Sequence, residues 1–244
     1  MLSLEQINKE VDLYNKYVNQ DLPYIKDVVY SNSMQCDAKI ITSDLELGKY
    51  IIYISSNTNN YLLEYQKSIV WHEFTHISDY LIYRENANIG DILKSISEAH
   101  AESIRLRYLL HLPINKTLNR ERRVIAYKEK KDLLDNLTGN YGNQSIAAIT
   151  VFDRDNDPLA FDHAITNFCY MCGYLTLLKE QDKIKICNYI ISLYPQEYKD
   201  KLYALSHAIL ENDVVKSALT YKKIKLSAMI KSYRGVIDND FIGL

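Results

Sequence analysis

Residues 70–81 read VWHEFTHISDYL and decide how this part of the chain folds. Apolar side chains recur along the segment at steps of four, three and four residues: Val70, Phe74, Ile77 and Leu81. This spacing places them on one face of an α-helix. His72 and His76 lie four residues apart and share another face of the same helix. The pattern predicts a helix over about residues 61–83, with one side in a core and the histidine side available for another role.

His72, Glu73 and His76 form an H-E-x-x-H motif. Histidines four residues apart on a helix project within about 40° of each other, so both rings can reach one tetrahedral zinc ion at about 2.0–2.1 Å. Glu73 lies beside that face, where its carboxylate is placed to accept a proton from a water on the metal. The alternative is that both histidines are ordinary members of a packed face, which leaves the ionisable Glu73 between them unexplained. We therefore predict a metal site on this helix.

A catalytic zinc ion needs a third protein ligand and keeps its fourth position for water. A second predicted helix carries Glu98 and Glu102, one turn apart on the same face. We expect Glu98 to bind the metal and Glu102 to accept the outer N–H of a zinc-binding histidine, and the reverse assignment stays open. One alternative is a solvated face on which the carboxylates pair with Arg105. Another is Asp79 as the ligand, although a straight helix places it a turn beyond the metal.

These residues resemble the gluzincin group of zincin metallopeptidases, in which H-E-x-x-H is followed after some twenty residues by a glutamate on a second helix. The thermolysin-like members have E-x-x-x-D at that place, and Glu98 with Glu102 is similar. The order of elements also resembles that of the small ImmA/IrrE-like peptidases of phages and mobile elements, whose glutamate is followed by alanine, as Glu98 is by Ala99. The resemblance covers about residues 1–112 and leaves the C-terminal half unmatched.

The resemblance implies a hydrolase that cleaves peptide bonds with one zinc ion per chain. A zinc-activated water would attack the scissile carbonyl, with Glu73 as the general base. Gluzincins stabilise the oxyanion with a His or Tyr from outside the motif, and His163 is the candidate here. The substrate would be a protein or peptide. The alternative, from a different class, is a catalytically silent metal-binding protein with a regulatory or interaction role in a phage or mobile element.

The 244 residues include only 7 Gly and 4 Pro, which favours a mostly helical chain. Together with two short strand-like runs and the resemblance to zincins, this predicts the α+β class with a predominance of helix. We expect a zincin-like core over residues 1–112, with a small sheet and two metal-binding helices. A helical region over 113–244 would complete the cleft, and the two parts could form one continuous domain. The runs at 38–42 and 49–55 are predicted as a short hairpin or as two neighbouring strands, the second run being the candidate edge for a peptide substrate.

The C-terminal half is predicted to contain a charged helix at 118–137, a loop at 138–145 and an acidic loop at 153–158. We expect Asp157 to cap the next helix with Pro158 at its first position, which fits better than a calcium loop. Cys169 and Cys172 form a C-x-x-C within an apolar run and are predicted to be core residues.

The net charge of −2 favours neither nucleic acid nor an anionic membrane as a partner. Within the basic segment 116–131 a solvated helix face is favoured over a nucleic-acid contact. Four cysteines, no signal-like N-terminus and no apolar run of about 18 residues predict a cytoplasmic protein with no membrane partner. The sequence leaves the oligomeric state open.

Overall fold

Helices dominate this protein, and a small sheet lies near its N-terminus, which confirms the predominantly helical α+β class. The computed structural model describes residues 1–83, 90–111, 120–178, 180–211 and 213–242, and it describes side chains for all of these except 90–95, 110–111, 120–135, 137, 180, 214 and 230–242. Within this part of the chain, no helix combines the length and the apolar character needed to cross a membrane.

The elements follow one another as α1 (Leu4–Val18), β1 (Asp27–Ser31), β2 (Ala38–Lys39), α2 (Thr42–Glu46), β3 (Ile51–Ser55), a 3₁₀ helix (Ser56–Asn60), α3 (Leu63–Tyr83), α4 (Gly90–His111), α5 (Arg120–Asp155), α6 (Pro158–Leu175), α7 (Glu180–Ser192), α8 (Gln196–Leu210) and α9 (Val214–Ile242).

The chain divides into two compact units, and the division falls inside helix α4. The first unit comprises Met1–Asn86 and His100–Lys116, and the second comprises Ala87–Ala99 and Thr117–Leu244. The predicted boundary between residues 112 and 113 lies outside the described residues and stays a prediction. The basic side chains of segment 116–131 also lie outside them.

Helix α1 begins with a capping box in the first unit. The Ser3 hydroxyl accepts from the backbone N–H of Gln6, and the Gln6 side chain accepts from the backbone N–H of Ser3. The apolar side of the helix, with Ile7, Val11 and Tyr14, is buried against α3. These three residues recur at steps of four and three, the spacing of one face of an amphipathic helix.

The sheet of the first unit has the strand order β1-β3-β2. Strand β3 pairs in parallel with β1 and antiparallel with β2, which confirms that segments 38–42 and 49–55 contain neighbouring strands. The prediction that 49–55 forms an edge is wrong, because β3 is hydrogen-bonded on both sides. The sequence reading missed the partner strand β1, whose five residues, DVVYS, carry too short a pattern to stand out.

Helix α3 contains the H-E-x-x-H motif and is packed on more than one side. Val70, Phe74 and Ile77 are fully buried in the same core cluster as Ile52 and Ile54 of β3, as the apolar spacing predicted. Trp71 is also buried in this cluster, and its indole N–H donates to Glu10 at 3.0 Å. The motif is therefore held in a rigid core element.

In the second unit, α5 runs without a break through residues 138–145, so the predicted loop is wrong. The prediction rested on two glycines and on asparagines, which usually mark turns. At Gly142, however, a Cβ would lie 2.9 Å from Ile190 Cδ1 and 3.3 Å from Met171 Sδ, so this glycine permits close helix packing. Nearby, the buried Ser145 hydroxyl donates to the carbonyl of Ala164 at 2.7 Å. Tertiary contacts outweigh the local turn preference here.

Helix α6 begins as the sequence predicts. Asp157 is the N-cap and accepts from the backbone N–H of Leu159, and Pro158 occupies the first helical turn. Further along the helix, Cys169 and Cys172 are fully buried free thiols. Their predicted role as core residues is confirmed.

Candidate metal centre

Helix α3 brings the rings of His72 and His76 together on one face. Their Nε2 atoms lie 3.0 Å apart, and the ring centroids are separated by 4.7 Å. Two nitrogens bound to one tetrahedral zinc ion at about 2.0–2.1 Å would lie roughly 3.3 Å apart. Both rings are partly buried, so they are shielded from much of the solvent while a small ion can still reach them. The pair therefore has close to the separation that a shared ion requires.

Glu98 on α4 completes a group of three possible ligands. His72, His76 and Glu98 each offer one ligand atom, and these atoms all lie within 4.8 Å of one another. It is the one such group among the residues that the structure describes. Two nitrogens and one carboxylate oxygen form a donor set that suits zinc, and ferrous iron is bound by the same residue types. The residues therefore fit a divalent transition metal.

Glu102 contacts the outer nitrogen of one of these histidines. Its Oε2 lies 3.3 Å from His72 Nδ1, and its Oε1 lies 3.0 Å from Arg105 Nη2. When Nδ1 of His72 carries the ring proton and faces the carboxylate, the lone pair on Nε2 is free to bind a metal ion. Because α4 is one continuous helix, its own geometry sets Glu98 one turn before Glu102.

Glu73 is buried beside the histidines, with 4% of its surface exposed. It follows His72 directly on α3, so it projects about 100° around the helix from that ring. It is not a member of the three-residue group. The structure thus keeps Glu73 next to the group without making it one of the ligands, and its role as a base stays a prediction.

Tyr170 on α6 contacts Glu98 and was missed by the sequence reading. Its hydroxyl donates to Glu98 Oε2 at 3.1 Å, and its ring stacks on Tyr141 with centroids 5.2 Å apart. Nothing in the sequence separates Tyr170 from the other 20 of the 21 tyrosines. Only the position of α6 identifies it.

The structure gives His163 no described contact with the three-residue group. It is exposed on α6, and its backbone carbonyl accepts from the side chain of Asn167 at 2.9 Å. It precedes Tyr170 by seven residues, which is about 10 Å along the helix axis. Its proposed role at the oxyanion stays a prediction.

Asp79, the alternative ligand on α3, is paired with His100 instead. His100 Nδ1 lies 3.0 Å from Oδ1 and 3.2 Å from Oδ2 of Asp79, whose exposed fraction is only 2%. Burial by itself lowers the pKa of His100, but the charge and hydrogen bond of Asp79 together outweigh it, so the pKa is raised. This pair ties α3 to α4 close to Glu98.

Comparison of the chain with protein-family models, curated proteins and solved structures finds no match. The geometry itself defines the class of site: a His-His-Glu group on two helices, with a carboxylate behind one histidine. The resemblance to gluzincins stays a prediction that rests on the motif and its spacing.

Proposed function

We propose that this protein is a zinc-dependent metallopeptidase that hydrolyses peptide bonds in the cytoplasm. The observation that carries the proposal is the convergence of His72, His76 and Glu98, with ligand atoms within 4.8 Å of one another. Three protein ligands are what catalytic zinc sites have, whereas closed structural sites have four. The buried Glu73 next to this group supplies the remaining chemical requirement, a proton acceptor.

In the proposed site, the three ligands and Glu102 have different roles in holding the ion. His72 and His76 would bind the ion through Nε2 and Glu98 through a carboxylate oxygen, while Glu102 would orient the His72 ring through Nδ1. Tyr170 holds the Oε2 atom of Glu98 and so restricts how that carboxylate turns. When bound, zinc supplies Lewis acidity, which lowers the pKa of a water toward about 7 and polarises a carbonyl.

Glu73 moves the proton in this scheme. Its carboxylate accepts a proton from the attacking water as the new C–O bond forms. It then gives that proton to the departing amide nitrogen as the C–N bond breaks.

A protein or peptide substrate follows from the motif chemistry and from the resemblance to gluzincins. Strand β3 does not offer a free edge to a substrate strand, because it lies in the middle of the described sheet. The rival function, a silent metal-binding regulator, shares the metal group and differs in whether any bond is cut.

The test begins with metal content. Protein purified without added metal should contain about one zinc ion per chain by mass spectrometry. The protein is then incubated with a cell lysate, and new peptide termini are mapped. Wild-type protein should generate termini that are absent when zinc is chelated.

Glu73→Gln separates chemistry from metal binding. The variant should keep its zinc and lose about 10²- to 10⁴-fold in cleavage rate, because it lacks the proton acceptor. Glu64→Gln, on the same helix, is the matched control and should cleave like wild type. Equal cleavage by Glu73→Gln would contradict the mechanism, and a zinc-loaded wild type that cuts nothing would favour the regulator.

A further inference from the structure

Glu98 lies on the stretch of α4 that polar contacts join to α3. Four residues after Glu98, Glu102 contacts His72 at 3.3 Å. Two residues after it, His100 bonds to Asp79 at 3.0 Å. The first contact has a clear role toward a histidine ligand, whereas the second is not used by the proposed chemistry.

The Asp79 and His100 pair has features of a fixed contact. Asp79 is 2% exposed and sits three residues after His76 on α3, so it lies almost one turn beyond a metal ligand. Both of its carboxylate oxygens lie within 3.2 Å of His100 Nδ1. A buried carboxylate is costly unless it is paired, so the position of His100 relative to α3 is strongly constrained.

We propose that Asp79 and His100 form a positioning pair that holds the Glu98 segment of α4 at ligand distance from His72 and His76. The proposal rests on the metal group of the proposed function. His100 lies two residues after Glu98 on the continuous helix α4, so a shift of His100 along or around α3 moves Glu98 with it. Neither member of the pair touches the ion or the substrate, and both act through Glu98.

If the pair only joined α3 to α4, any other hydrogen bond between these helices should matter equally for zinc binding. The chain offers a control for this alternative. The Tyr108 hydroxyl on α4 donates to Glu64 on α3 at 2.8 Å. Tyr108 follows Glu98 by ten residues, about 15 Å along the helix axis. Tyr108→Phe therefore breaks another α3–α4 hydrogen bond without disturbing the Glu98 turn.

The experiment measures zinc affinity by competition with a chromophoric chelator, and coordination by the visible absorption of the Co²⁺-loaded protein. Asp79→Asn and His100→Gln should each weaken zinc binding about 10- to 100-fold, the range found when a residue behind a metal ligand is lost. The Co²⁺ spectrum should change in both variants. Tyr108→Phe should leave affinity and spectrum as in wild type. Circular dichroism and the fluorescence of Trp71, the single tryptophan, report whether each variant is folded.

A double-mutant cycle that combines Asp79→Asn with Glu98→Ala shows whether the pair acts through Glu98. In the Glu98→Ala background, Asp79→Asn should cause no further loss of zinc affinity. An equal loss in both backgrounds, or unchanged binding by folded Asp79→Asn and His100→Gln, overturns the proposal. If Asp79→Asn does not fold, His100→Gln decides by the same measurements. A wild type that binds no zinc would instead contradict the proposed function itself.

Discussion

At the scale of single residues, Glu98 and Glu102 differ in the side chains that their carboxylates contact. Glu98 belongs to the three-residue group and accepts from Tyr170, whereas Glu102 faces His72 Nδ1 and Arg105. Glu98→Ala should therefore reduce zinc affinity by more than about 100-fold, and Glu102→Ala by about 10- to 100-fold. Isothermal titration with zinc in a competing chelator measures both. Loss of the ion from Glu102→Ala with retention by Glu98→Ala would reverse the two roles.

The site was predictable from sequence as far as helical spacing reaches. Spacing places His72 with His76, and Glu98 with Glu102, because positions four apart share a helix face. Spacing cannot decide which of the two glutamates is the metal ligand, because that depends on which side chains of other helices each carboxylate faces. Tyr170 had no signal at all, because its role follows from the packing of α6.

At the scale of elements, α6 approaches α4 at the residue next to the proposed ligand. A Cβ on Gly173 would lie 2.5 Å from the carbonyl oxygen of Ala99, so only glycine allows this approach. Gly173→Ala should force the helices apart, cost about 1–3 kcal/mol of stability, and draw the Tyr170 hydroxyl away from Glu98. Chemical denaturation measures the first effect and zinc affinity the second.

Tyr170→Phe is the matched variant, because it removes the hydroxyl without moving α6. It should weaken zinc binding while leaving the denaturation midpoint much closer to wild type. A Gly173→Ala protein as stable as wild type would show that α6 does not pack against α4 as described.

Some of the helices and strands could be predicted from the sequence, and others could not. Helices α1 and α3 were predictable because their apolar residues repeat with helical spacing, and α1 also begins at a capping box. The continuation of α5 through Gly142 was not, because a glycine that permits close packing and a glycine in a turn look the same in sequence. The central place of β3 was also hidden, since strand order depends on pairing with β1.

At the scale of the whole molecule, metal binding at the proposed three-residue group would be coupled to folding. Its ligands come from two helices, and Glu98 follows His76 by 22 residues, so the unfolded chain presents them together only rarely. An ion that binds the native state far better than the unfolded chain stabilises the fold by RT ln(1 + [L]/Kd).

Zinc at about 100 times its Kd should therefore add about 2.7 kcal/mol of stability, which corresponds to a rise in Tm of roughly 5–10 °C for a chain of this size. Differential scanning calorimetry with zinc, and after removal of zinc by a chelator, measures the shift. The double variant His72→Ala, His76→Ala should show no zinc-dependent rise, because the two nitrogen ligands are gone while α3 keeps its buried apolar face. Since Glu73 lies outside the three-residue group, Glu73→Gln should show the full rise. A rise in the double histidine variant, or none in the wild type, would mean that the ion does not bind where the three side chains converge.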